Sequence, residues 1–326
     1  MPEPRFIGAG QVSEAVDLPL AIDVLEAAFD EQSKGAAGTM PRTHLEDGEN
    51  ILHAVGGRLG EVAGTKTWLY TPNGAKPLLI LFSCADGRVL ALIEAFAFGQ
   101  LRTAAVAGLA TKLLARPDAS ALALLGTGRQ ALSQARAVAS VRDLQEIRCF
   151  GRDTARRARL AAAIEQELNI AVEEFADADE AAAGADVITT ITRAVEPVLH
   201  GADVARGTHI NAMGSIVPTR RELDTDVVAL ADRIVVDSLE QAASDAGELL
   251  AAERAGLLEM ASVCSLAQVA GEVSLARQAG ETHPVRGPAE ITLFKSLGVG
   301  LADVALGVEL LKRTAPHMLS PTATHI

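Results

Sequence analysis

The sequence predicts an α/β protein built around a doubly wound parallel sheet, and three observations predict it. From residue 120 onward, short apolar runs alternate with helical segments, which is the pattern of consecutive βα units. Hydrophobic residues make up 49% of the chain but aromatics only 3%. Such a core of Ala, Val, Leu and Ile suits buried parallel strands covered by Ala-rich helices. Before about residue 118 the pattern differs, with strand-like runs joined by tight turns and mixed with helices.

Residues 21–30 read as a helix with Ile22, Leu25, Ala28 and Phe29 on one face. Residues 78–83 and 89–93 read as a hairpin, because Asp86-Gly87 favours a tight turn between strands. Residues 101–116 form an Ala-rich helix that Pro117 stops. Then come apolar strands at 121–125, 147–150, 172–175, 185–190, 208–213 and 234–237, with helices at 131–139 and 154–167. Helical segments from about residue 241 onward close the chain.

A chain of 326 residues can form two ordinary domains or one large one, and one this apolar is not disordered. Its 42 acidic and 29 basic side chains give a net charge of −13. That balance argues against nucleic acid as a partner and leaves room for a local basic pocket that takes a small anion. Cys84, Cys149 and Cys264 are far apart and form no CxxC pair, which points to a reducing compartment. His44 and His53 are nine residues apart, as are His200 and His209, so no metal-binding spacing is present and no metal is expected. The start, MPEPRFIGAG, has no signal-peptide pattern, and the apolar runs are too short to span a bilayer. A soluble cytoplasmic protein without a membrane partner is expected.

The first strand of the alternating region runs into Gly126-Thr127-Gly128-Arg129-Gln130-Ala131, a GxGxxA string that opens a helix. The first glycine permits the tight turn, the second lets backbone approach a pyrophosphate, and the small third residue lets helix and strand pack closely. The helix N-terminus then offers N–H groups to phosphate. A bare strand-to-helix turn could carry the same string. The flanking strand and the βα units that follow favour a dinucleotide-binding Rossmann domain. At the end of the second strand, where an NAD site carries an acid, stand Gly151 and Arg152. A guanidinium suits a 2′-phosphate, so NADP(H) is preferred, with NAD(H) as the alternative supported by Asp153 one step on. A solvated Arg152 beside Arg156, Arg157 and Arg159 is the plainer reading of the same residue.

Met40-Pro41-Arg42, Gly64-Thr65-Lys66-Thr67, Leu101-Arg102-Thr103-Ala104-Ala105, the GTGRQA loop, His209-Ile210-Asn211-Ala212-Met213-Gly214, Glu222-Leu223-Asp224, Val236-Asp237-Ser238, Gly247-Glu248 and Thr292-Leu293-Phe294-Lys295-Ser296-Leu297-Gly298 follow in that order. In this the chain resembles the ornithine cyclodeaminase/mu-crystallin family from about residue 20 to 312. The resemblance implies a homodimer and a discontinuous α+β substrate-binding and dimerisation domain (1–118 with 305–326). It also implies an NAD(P)-binding Rossmann domain (119–304) and chemistry through the imine of an α-amino acid. It further implies that Arg42 and Arg102 hold a substrate carboxylate and that Lys66 sits beside the reacting carbon as the catalytic residue. Gly126, Gly128, Gln130, Ala131, Arg152 and Thr192 would hold the dinucleotide, with Met213 and Lys295 nearer its nicotinamide end.

Read alone, Arg42 is a solvated surface charge. Lys66 lies in a segment apolar enough to be a partly buried strand, where an ammonium must be paired or functional. Arg102 would open its helix, where a cation opposes the dipole and so hints at an anion ligand. Asp237 and the histidines read as structural.

The chain also departs from the family pattern. In cyclodeaminases and archaeal alanine dehydrogenases an Asp follows the strand corresponding to 208–213, and here Ile216 takes that slot. An isoleucine cannot move a proton, so the segment is more similar to the mu-crystallin/ketimine-reductase branch. The loop from Thr71 to Pro77 is short, and Phe96, Phe98 and Gln100 replace smaller or hydroxyl residues. The expected activity is reduction of ketimines, such as Δ1-pyrroline-2-carboxylate or Δ1-piperideine-2-carboxylate, to L-amino acids. The alternatives are an ornithine or lysine cyclodeaminase using NAD, an amino-acid dehydrogenase, and a non-catalytic ligand-binding protein.

Overall fold

The computed structural model of the chain describes residues 3–281 and 287–319. The chain divides into two compact units, Met1–Thr103 with Val299–Ile326, and Ala104–Gly298.

The first unit begins with β1 (Arg5–Ile7), α1 (Ala9–Ala15) and α2 (Leu18–Ser33). The Leu20 N–H donates to the Asp17 side chain at the start of α2, and the helix buries Ile22, Leu25, Ala28 and Phe29, the face its periodicity predicts. There follow β2 (Ala37–Asp47), β3 (Asn50–Leu59), β4 (Val62–Thr71), β5 (Gly74–Ala75), β6 (Leu78–Ser83) and β7 (Val89–Glu94). These strands form one sheet in the order β1-β7-β6-β4-β3-β2, with β5 paired to β4. The β6–β7 hairpin is antiparallel, as its Asp-Gly turn predicts, whereas β1 runs parallel to β7.

Helix α3 (Ala95–Leu114) starts six residues earlier than expected, directly after β7. Its first turn is pinned by the Ala95 N–H donating to the Pro77 carbonyl, and Phe98 is buried. Arg102 therefore lies well inside the helix rather than at its N-terminus, and its cation does not face the positive end of the dipole.

The second unit contains β8 (Ala121–Leu125), α4 (Ala131–Ala139), β9 (Glu146–Phe150), α5 (Thr154–Leu168), β10 (Ala171–Phe175), α6 (Ala178–Ala182), β11 (Val187–Thr190) and β12 (His209–Ala212). It continues through α7 (Thr225–Leu230), β13 (Arg233–Val236), α8 (Leu239–Asp245), α9 (Gly247–Arg254), β14 (Cys264–Ser265), α10 (Leu266–Gln278) and β15 (Thr292–Lys295). Among the described residues its eight strands are all parallel, in the order β10-β9-β8-β11-β12-β15-β13-β14. Strand order reverses at β8, so the crevice beside the GTGRQA loop is the switch point at which such sheets bind ligands. Aliphatic layers cover both faces, with Leu122, Leu124 and Ile147 on one and Ala123, Leu125 and Ile188 on the other.

One expectation fails here. The end of the chain is not all helical: β15 inserts between β12 and β13, with Leu293 opposite both Ile210 and Ile234. A four-residue apolar run buried on both faces has no periodicity by which to tell strand from helix.

The chain then re-enters the first unit as α11 (Gly300–Thr314). Gly300 lies directly on β3, since a Cβ there would stand 2.1 Å from the Gly56 carbonyl oxygen. The unit boundaries fall at 103/104 and 298/299 rather than at 118/119 and 304/305. The later half of α3 is fastened within the second unit, where Asn211 donates to Thr111 Oγ1 and Arg142 donates to the Thr111, Lys112 and Ala115 carbonyls. Among the described residues, no helix is long and apolar enough to cross a membrane.

Candidate active site

The first unit holds a buried charged cluster. Lys66 points from the middle of β4, between Val55 of β3 and Leu79 of β6, and is only 6% exposed. Its Nζ donates to both carboxylate oxygens of Asp303, at 2.7 and 2.8 Å. Asp303, in the first turn of α11, is 1% exposed. Arg102 Nε donates to the same Oδ1 at 3.4 Å. Sequence reasoning thus paired Lys66 with Arg102 and missed the carboxylate between them. Burial pushes the Lys66 ammonium down to about 8; Asp303 pulls it up and Arg102 adds to the fall. A lysine whose proton is this weakly held can serve as a proton donor near neutral pH.

The same face of the sheet continues as an aromatic and cationic strip. Lys66 Nζ stands 5.5 Å from the centroid of the Trp68 ring. Trp68 pairs in register with His53, and the two rings stack at 4.8 Å. Arg42 is half-buried on β2, where the register slips between Met40 and Thr43. His53 is held below the usual histidine range by burial, with the charges of Arg42 and His44 acting in the same sense. Arg42 is therefore close to this strip rather than a stray surface charge. His53 Nδ1 is buried with no hydrogen-bond partner.

In the second unit the glycine loop has the form a dinucleotide requires. Gly126 has φ +130°, and a Cβ there would come within 2.5 Å of the Ile191 carbonyl oxygen. At Gly128 an added Cβ would meet nothing within 4 Å, so this stretch of backbone is open to a ligand. Ala131 is fully buried at the start of α4, and Gln130 Oε1 is buried without a partner. The loop thus fits a pyrophosphate on an open backbone. The missing acid after β9 also has a physical cause: a Cβ at position 151 would stand 2.3 Å from the Thr127 methyl carbon. Arg152 is exposed next to it. Asp153 is occupied as the cap of α5, accepting from the Arg156 N–H at 3.0 Å.

Thr192 and Met213 follow the ends of β11 and β12. Thr192 and the turn after Met213 are held by Glu222, a fully buried carboxylate that accepts from Thr190 Oγ1, Thr192 N–H and Gly214 N–H at 2.9, 2.5 and 2.6 Å. Lys295 is fully buried and donates to the Ser215 carbonyl at 2.6 Å, with Glu248 at 3.2 Å. That places it beneath the Gly214-Ser215 turn as a support, with no exposed surface to offer a ligand. Ile216 is 41% exposed beyond this turn. Asp237 accepts from Ser296, Leu297 and Gly298, a structural cap as expected. His209 is buried in a network with Thr292 and Asn211.

The model of the ornithine cyclodeaminase/mu-crystallin family matches residues 3–312. The chain belongs to this family. Within the family it is 34% identical, over 243 residues, to a Δ1-pyrroline-2-carboxylate reductase of Bacillus cereus, a match that covers 74% of this chain and 71% of that protein. The fold matches the structure of Thermococcus litoralis Δ1-pyrroline-2-carboxylate reductase in complex with NADH and L-proline. There the TM-score is 0.87 and the identity 25%, over 98% of this chain and 99% of the other. It also matches an archaeal alanine dehydrogenase dimer with bound NAD, with a TM-score of 0.87 and 27% identity over 99% of each chain.

Proposed function

We propose that this protein is a nicotinamide-dependent oxidoreductase that reduces imines of α-amino acids to L-amino acids. The best-fitting substrates are cyclic ketimines such as Δ1-pyrroline-2-carboxylate and Δ1-piperideine-2-carboxylate. The observation that carries this reading is the buried Lys66 ammonium, set between Asp303 and Arg102 and held near 8. Reduction of a C=N bond needs one hydride at carbon and one proton at nitrogen. The bound nicotinamide supplies the hydride. Lys66 protonates the imine nitrogen, which makes the adjoining carbon electrophilic. Arg102 and Arg42 hold the α-carboxylate, a bidentate guanidinium task. Asp303 spends Arg102 Nε and leaves its two terminal nitrogens for a carboxylate.

Ile216 supports reduction over cyclodeamination. Cyclodeamination must deprotonate the substrate amine and later expel ammonia, and an isoleucine supplies no base for either step. On the cofactor, Gly126, Gly128, Gln130 and Ala131 hold the pyrophosphate. The exposed Arg152, with Gly151 forced by Thr127 and Asp153 capping a helix, favours NADP(H) over NAD(H). The protein acts as a homodimer through its first unit. Leu45, Leu52 and Leu69 are neighbours across β2, β3 and β4 and are 67, 45 and 49% exposed, an apolar stripe that suits a second copy.

One assay panel tests the reaction. Oxidation of NADPH or NADH with either cyclic imine is expected. Ammonia release from ornithine with catalytic NAD would replace this reading with cyclodeamination. Activity in neither assay, with dinucleotide still bound, would point to a ligand-binding protein.

A further inference from the structure

We propose that Asp303 is the positioning residue of this reaction, one carboxylate that fixes the Lys66 ammonium and the Arg102 guanidinium to each other. The inference rests on the reading of Lys66 as proton donor given above. Asp303 stands in a run of buried apolar residues, Leu301, Ala302, Val304, Ala305 and Leu306. An apolar pair at positions 66 and 303 would fill such a place as well or better, so stability alone does not explain the ion pair. The geometry explains it through the site. Asp303 takes two of the three N–H donors of Lys66, one on each oxygen, and leaves the third for a substrate. The same Oδ1 also takes Arg102 Nε, so proton donor and carboxylate clamp share one anchor. The anchor is rigid because α11 lies on β3 at Gly300 with no room for a side chain.

Charge gives the arrangement its second role. The charged groups that act on Lys66 are Asp303 from α11 and Arg102 from α3. Its strand neighbours Val55 and Leu79 are apolar, and the Arg42 charge acts on His53. Burial and Arg102 both drive the ammonium toward its neutral form, and Asp303 alone opposes them. Without that carboxylate Lys66 loses its proton at a lower pH and no longer donates at neutral pH.

The test uses Asp303→Asn and Asp303→Glu in the full-length enzyme, each first shown to bind NADH and to melt cooperatively. Two pH profiles are recorded: kcat/KM for imine reduction, and competitive acetylation of Lys66 in the free enzyme read by mass spectrometry. In Asp303→Asn, both midpoints are expected to move down by at least one pH unit, and kcat at pH 7.5 to fall by about tenfold or more while KM changes less. Asp303→Glu is expected to recover most of the acetylation midpoint. Unchanged midpoints in folded Asp303→Asn, or a midpoint in folded Asp303→Glu that falls as far as in Asp303→Asn, would overturn the role of Asp303. Normal turnover in Lys66→Met would instead overturn the reading of Lys66 itself, so the two failures are distinguishable.

Discussion

The two units build their candidate sites from different materials. The candidate dinucleotide site of the second unit is made mostly of backbone: an open Gly128, a Gly126 turn at positive φ, and the start of α4. The site of the first unit is made of side chains drawn from β4, α3 and α11, at positions 66, 102 and 303. A backbone site is written in one short string, since each glycine answers a steric demand of its own turn. A side-chain site is written in residues as far as 237 positions apart, and only the fold brings them together. The first kind should govern cofactor affinity, the second turnover.

The largest effect should come from Lys66. Lys66→Met is expected to cut kcat by on the order of 100-fold or more, the range for loss of a general acid, and to leave the dinucleotide dissociation constant unchanged in a fluorescence titration. A weakened dinucleotide in this variant would break the division between the units. The same residue sets the pH response. Lys66 carries its proton below about pH 8 and loses it above. Imine reduction should therefore decline as pH rises through 8, and oxidation of the product amino acid, which needs a neutral Lys66, should rise over the same interval.

Next in size is the glycine turn. Gly126→Ala places a methyl 2.5 Å from the Ile191 carbonyl at a φ that alanine avoids. Strain of about 1–3 kcal/mol should weaken dinucleotide binding by about tenfold or more, with turnover at saturating cofactor less affected. Arg102→Lys replaces a fork with a point charge and should mainly raise the substrate KM, by about tenfold. The smallest effect is expected at the exposed Arg152. Arg152→Ala should cost NADPH several-fold in affinity, on the scale of a solvent-exposed ion pair, and leave NADH binding unchanged. Equal losses for both cofactors would place Arg152 away from the 2′-phosphate.

The same contrast governs what could be read before the structure. The GTGRQA loop, the β6–β7 hairpin and the strands from Ala121 to Phe175 are local patterns, and the fold follows them closely. Strand β15 escaped because four buried residues carry no period. The start of α3 escaped because Ala95-Phe96-Ala97-Phe98 reads equally well as the end of a strand. Asp303 escaped for another reason. Its signal was an acid inside the otherwise apolar stretch from Leu301 to Leu306, which marks a buried charge but not its partner, 237 residues away. Lys295 shows the converse. A resemblance suggested cofactor contact, and the fold buries it under Glu248 and Ser215.

Isotope transfer tests the central claim most directly. The enzyme is incubated with Δ1-pyrroline-2-carboxylate and NADPH deuterated at nicotinamide C4, in separate runs with each C4 epimer, and the proline is analysed by mass spectrometry. Reduction of the imine predicts one deuterium at Cα of L-proline with one epimer and none with the other, in step with the NADPH consumed. Proline formed without deuterium from either epimer, or NADPH left intact by both cyclic imines while ornithine releases ammonia, would contradict it.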